Sequence, residues 1–179
     1  MKLSMSIDTE PRASASGRST LLLFVTLLTL TATSFGAETY DGPRPPKPDV
    51  PYLLHADRLV ETEMQQAHQE SKKGDVTYSI DGTASPAKTP LAEPIFILDS
   101  KNLDANSLGL YRLDSKNGHR EITMSGGGRK RRGGGRPIHV LVTPLGGHLY
   151  KIEADEHLEE GEYSLSPADS NTVFCFAVY

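Results

Sequence analysis

The sequence predicts an all-β domain, a small antiparallel β-sandwich of about eight short strands carrying a peripheral short helix or irregular N-terminal extension. Three observations point there. From Val76 onward, short β-branched and aromatic runs recur at roughly ten-residue intervals, divided by Gly, Pro, Asn and Asp. No long helical period interrupts them. The last run, "VFCFAVY" (Val173 to Tyr179), is apolar on both faces, with Phe174, Phe176 and Val178 on one and Val173, Cys175 and Ala177 on the other. That is the pattern of a central strand covered from both sides.

Taken in order, residues 1–37 read as a signal peptide: a polar stretch with Lys2, Arg12 and Arg18, the apolar run Leu21 to Ala32, then small residues ending near Ala37. A run of twelve residues falls short of the roughly 20 that span a bilayer, so no stable transmembrane helix is expected after cleavage. Residues 38–51 form a Pro-rich spacer, because five prolines between Asp41 and Pro51 fix φ repeatedly and remove backbone donors. Residues 52–75 read as a peripheral segment. "PYLLHADRLV" suits an edge strand, while Val60, Met64 and Ala67, with early acids, late lysines and Gly74, suit a short helix. Residues 76–179 are the sandwich.

Two hairpins are legible within it. Asn117-Gly118 accepts positive φ in a tight turn. A two-residue loop there sets Asp114 against Glu121, whereas a four-residue loop, Ser115 to Gly118, sets Arg112 against Glu121 and Asp114 against His119, and the charges favour the longer loop. In "TPLGGH", pairing Thr143 with His148 places Leu141 by Tyr150 and His139 by Ile152.

The single cysteine, Cys175, excludes an intramolecular disulfide and reads as a small apolar residue of a buried strand. The six histidines (His55, His68, His119, His139, His148, His157) lack any metal-ligand spacing, so no metal is expected. Gly-x-Ser-x-Gly is missing, and the glycines lack the Lys-Ser/Thr ending of a phosphate loop. These absences favour a protein that is not an enzyme and carries no cofactor.

Charge is distributed unevenly. Without residues 1–37 the chain holds 16 Lys/Arg against 21 Asp/Glu, a net of −5. Five of those cations, Arg129, Lys130, Arg131, Arg132 and Arg136, sit in "SGGGRKRRGGGRP" (125–137), which leaves the rest at −10. The stretch reads first as a loop between two strands. It is also the candidate contact for a polyanion, either nucleic acid or an anionic envelope polymer, or for an acidic partner; no aromatic residue is interleaved to stack bases, which disfavours nucleic acid. Its candidate counterpart is "EADEHLEEGE", with Glu153, Asp155, Glu156, Glu159, Glu160 and Glu162, within the molecule or on a second copy.

"REI" (Arg120 to Ile122), "LEEGEYSLSP" (Leu158 to Pro167) and "VFCFAVY" together resemble the C-terminal portion of uncharacterised secreted bacterial proteins patterned L-x-x-G-E-Y-x-L, loop, V-F-x-F-x-V. The resemblance covers about residues 94–179. It implies a small β-sandwich and supplies no site residue, and the cation run lies outside its pattern. The expectation is therefore a secreted or periplasmic, non-enzymatic binding or assembly module for a protein or envelope component, with self-association as one form of assembly. The alternatives are a polyanion-binding protein that uses loop 125–137, and a small outer-membrane barrel, which eight runs and the terminal aromatic Tyr179 suggest.

Overall fold

A computed structural model describes residues 40–125 and 135–179. The expected signal peptide and Arg129 to Arg132 lie outside the described residues. Five strands, β1 (Tyr52–His55), β2 (Arg58–Glu61), β7 (Ile95–Asp99), β10 (Val140–Gly146) and β11 (Leu149–Ala154), form one sheet in the spatial order β10-β11-β7-β1-β2. The second sheet contains β3 (Glu63–Gln66), β4 (His68–Lys72), β5 (Asp75–Asp81), β8 (Leu108–Lys116), β9 (His119–Ser125), β12 (Gly161–Pro167) and β13 (Thr172–Val178). Its order is β3-β13-β12-β8-β9-β5-β4, and the two-residue β6 (Lys88–Thr89) runs parallel to the end of β13. All other pairings are antiparallel, so the all-β sandwich architecture is as the sequence predicts.

The sheets face each other across one large core. Leu53, Phe96 and Ile152 meet Leu110, Tyr163, Leu165, Phe174 and Phe176 there. Phe176 is its centre, edge-on to Phe96 at 5.0 Å between centroids and stacked on Tyr163 at 5.5 Å. The opposite face of β13 carries Val173 and Cys175 into a second apolar cluster. β13 is thus buried on both faces, in the division its alternation predicts.

That second cluster exists because the larger sheet closes on itself. β3 and β4 are one bent segment with only Ala67 between them, yet β3 pairs with β13 and β4 pairs with β5, at opposite ends of the strand order. Ala67 donates its N–H to Asn171 at the corner, at 2.8 Å. β8 makes a second corner: Leu108–Leu113 pair with β12 and Asp114–Lys116 pair with β9. Where β8 and β9 part, residues 135–138 bridge the gap, Gly135 donating to Thr123 at 2.9 Å and Ile138 to Leu110 at 2.7 Å. The outcome is a six-membered ring of strands with its own interior, joined through β12 and β13 to the first sheet.

Residues 52–75 are strands within the sandwich, not a peripheral helix, and the domain therefore begins well before Val76. Tyr52 and Leu53 are buried in the main core. The expected helical stripe is no face at all, since Met64 is 60 % exposed while Ala67 is buried. Glu63, Gln65 and Ala67 alternate inward against exposed Met64 and Gln66, a period of two that long-range pairing with β13 selects.

Both hairpins form, in registers other than those expected. Asp114 stands opposite Glu121, so the shorter loop is used, with Asn117 at φ 52 and Gly118 at φ 88. The two acids tolerate that pairing because Glu121 is held by Lys116 at 3.2 Å and His119 at 3.0 Å, and Arg112 turns instead to Glu159 at 2.6 Å. Positive φ at both turn positions matches the strand twist, and this outweighs one exposed like-charge contact. In the second hairpin Val142 pairs with Ile152 and Gly146 with Leu149. A bulge between Pro144 and Gly146 shifts the register, and Gly147 at φ 61 opens a two-residue turn with His148.

The Pro-rich segment is strapped to the body near its end. Asp49, at φ 60, accepts the N–H groups of Lys101, Asn102 and Leu103 at 2.7, 2.8 and 3.0 Å, and the Asn102 amide at 2.8 Å. Desolvation pushes its carboxyl upward, but these donors outweigh it and hold it at about 2.

Candidate functional site

The interior of the ring divides into a polar end and an apolar cavity. Alternation on each strand dictates which side chains point inward: Tyr78 and Ile80 from β5, Tyr111 and Leu113 from β8, Arg120, Ile122 and Met124 from β9, Ser164 and Ser166 from β12, Val173 and Cys175 from β13.

Arg120 closes the polar end. It is fully buried and makes a bidentate pair with Glu63, at 2.7 and 3.1 Å. Its remaining donors reach the carbonyls of Gly82 at 3.1 Å and Asp81 at 2.9 Å, with Glu162 at 3.6 Å. Glu162 in turn accepts the Ser85 N–H at 2.8 Å, and the Ser85 hydroxyl donates to the Cys175 carbonyl at 3.2 Å. One cation thus faces two carboxylates, and four of its five donors are hydrogen-bonded. Burial works against ionisation of Glu63, yet Arg120 reverses that and holds its carboxyl below the usual range. For Cys175 burial wins, pushing the thiol up to about 12 despite the neighbouring Arg120. A thiol that stays protonated is a poor nucleophile.

Beyond Leu113 and Ile80 the interior holds a cavity of about 120 Å³, lined mainly by Ala67, Tyr78, Tyr111, Ile122, Met124 and Val173. Its polar groups are few and local. The Ser164 and Ser166 hydroxyls share one hydrogen bond of 3.2 Å, which leaves acceptor capacity on both. Pro167 at the end of β12, with Ala168, Ser170 and Asn171 from the turn that follows it, completes the lining.

The residues singled out from sequence are dispersed. Arg136 is exposed and lines an open cleft of about 400 Å³ with Arg112, Glu156, His157, Glu159 and Tyr163. Glu156 and Glu159 therefore stand near one of the five candidate cations; the other four lie outside the described residues. Glu160 is exposed, and its carbonyl accepts from Arg112 at 3.2 Å. The other acids have separate tasks: Glu153 pairs with Lys151 at 2.8 Å, Asp155 with His139 at 2.9 Å, and Glu162 belongs to the Arg120 network. The six acids thus form no single face. Among the described residues, no group of three His, Cys, Asp or Glu is arranged to hold a metal, and no helix is long and apolar enough to cross a membrane.

Sequence reasoning missed Arg120, Glu63, Ser164 and Ser166 as interior residues. The signal for the serines was present, because "EYSLS" alternates polar and apolar. Such alternation ordinarily marks a solvated face, and only closure of the ring turns it inward.

Fold and site together define an all-β protein with an internal cavity. No family model, no curated protein and no solved structure matches the chain.

Proposed function

We propose that the domain is an exported, non-enzymatic binding module that holds a small, neutral, mostly apolar molecule inside the strand ring. The observation that carries the reading is the cavity of about 120 Å³ with an under-used pair of hydroxyls, Ser164 and Ser166, on an otherwise apolar wall. A cavity of that order, roughly 150 Å³ when lined by aliphatic side chains, admits a benzene-sized group. One hydroxyl or carbonyl on the ligand finds its partner at the serines, in the usual division of a binding pocket into apolar walls and a few placed polar groups. Export rests on residues 1–37 and places that ligand outside the cytoplasm, in the medium or the envelope. Arg120, buried and held by four hydrogen bonds, and the protonated Cys175 support binding rather than catalysis.

The other readings have less behind them. Outward positions of the ring are polar, as at Thr77, Ser79, Glu121 and Thr123, where a lipid-facing barrel needs an apolar band. Arg136 shares its cleft with Glu156 and Glu159, whose charge opposes a polyanion there.

Phenol titration followed by methyl NMR tests the proposal. Shifts confined to Ile80, Ile122, Met124 and Val173 are expected, and Ser166→Leu, which fills the cavity, abolishes them while leaving the fold intact. Phenol shifts that are absent, or that persist in the folded Ser166→Leu variant, refute it.

A further inference from the structure

A second cleft, of about 500 Å³, opens on the opposite side of β13, between the β1–β2 hairpin and β6. Its walls differ in chemistry. Arg58 and Lys88, from two separate elements, bring two exposed cations to it, and neither makes an ion pair among the described residues. Among the described residues Lys47, Arg112, Lys116, Arg120 and Lys151 have a carboxylate partner, and Arg58 and Lys88 belong to the cations that do not. His55 reaches the same cleft from the hairpin, and its Nε2 is buried without any hydrogen-bond partner. That nitrogen is closed off from solvent, so His55 lines the cleft as a reporter of binding and not through Nε2. The facing wall is apolar: Leu91 is 42 % exposed and Tyr179 is 64 % exposed, two of the four large hydrophobic side chains that stand out from the described surface.

We propose that this cleft binds a small amphipathic anion, with its carboxylate-like head between Arg58 and Lys88 and its apolar body against Leu91 and Tyr179. Two parts of the site call for that ligand for separate reasons. The cations have no ion-pair partner among the described residues, and the exposed apolar side chains lack cover. A bare inorganic anion leaves the second unmet, and a neutral apolar molecule leaves the first. The site is independent of the ring cavity, from which it differs in charge and in the elements that build it.

Octanoate is the probe, with octylamine and acetate as controls, using calorimetry together with NMR observation of the His55 imidazole. Octanoate is expected to bind in the millimolar range or tighter and to shift the His55 signals, and octylamine is not. Arg58→Gln combined with Lys88→Gln lowers octanoate affinity by at least about tenfold, and added salt weakens wild-type binding. Leu91→Ser weakens octanoate but leaves acetate unchanged. Ser166→Leu, which fills the ring cavity, leaves octanoate binding as it was, so failure here and failure of the cavity reading are read separately. Arg58, Lys88 and Leu91 are surface residues, so these variants keep the fold. No octanoate binding to wild type, equal binding of octylamine, or unchanged affinity in the double variant overturns the proposal.

Discussion

Asp49→Asn isolates what one charge does for the strap. Asn tolerates the positive φ of Asp49 and keeps one carbonyl oxygen in place, so backbone geometry is held while the charge is removed. The Asp49 carboxyl falls from its ordinary 3.8 to about 2 in the folded protein. At about 1.36 kcal/mol per unit the shift sets a ceiling near ~2.4 kcal/mol, which partial exposure reduces to about 1–1.5 kcal/mol. Because the folded value lies below the unfolded one, this stability is fully present above about pH 4 and is lost as pH falls through about 2. Urea unfolding of wild type and Asp49→Asn at neutral pH is expected to differ by about 1–1.5 kcal/mol, and at about pH 3 roughly half of that gap remains. A gap that stays constant from neutral pH to pH 3, or one under about 0.3 kcal/mol at neutral pH, refutes the account of the strap as an anion held by three N–H donors.

Arg120→Met leaves the largely buried Glu63 and Glu162 without their cation and is expected to cost about 3–5 kcal/mol in urea unfolding, with the deficit shrinking at acidic pH as Glu63, whose carboxyl Arg120 otherwise holds low, protonates. Gly118→Ala, at φ 88, destabilises by about 1 kcal/mol, whereas Asn117→Gly stays within about 0.5 kcal/mol of wild type, and thermal melts read both. The Cys175 thiol, pushed up to about 12, should leave a disulfide reagent unreacted at mildly alkaline pH in the folded protein and react fully in concentrated guanidinium. Rapid modification of the native protein would contradict the burial of β13.

How much of this was legible in the sequence varies by element. The two-faced apolar run of β13 announced a strand covered on both sides, and the large core and the ring interior are those two covers. At β3 and β4 the reading failed, because Val60, Met64 and Ala67 fit a helical period by coincidence, while the partners that make this segment a strand lie more than a hundred residues away at Thr172 to Cys175. In the Asn117-Gly118 hairpin the turn chemistry is legible, and it prevails over a charge contact that solvent and Lys116 soften. The site was least legible. "REI" carries Arg120, yet nothing local says that an arginine between a glutamate and a histidine will be the most buried charge in the domain. That follows from closure of the ring, which no single segment encodes.

Placing β13 between two cores has a consequence for the order in which the domain is made. The ring cannot close until Thr172 to Cys175 meet β3, and the first sheet has no wall to rest on until Phe174 and Phe176 arrive. Nearly everything synthesised earlier must wait for the last strand, a high-contact-order arrangement that folds late and as a whole.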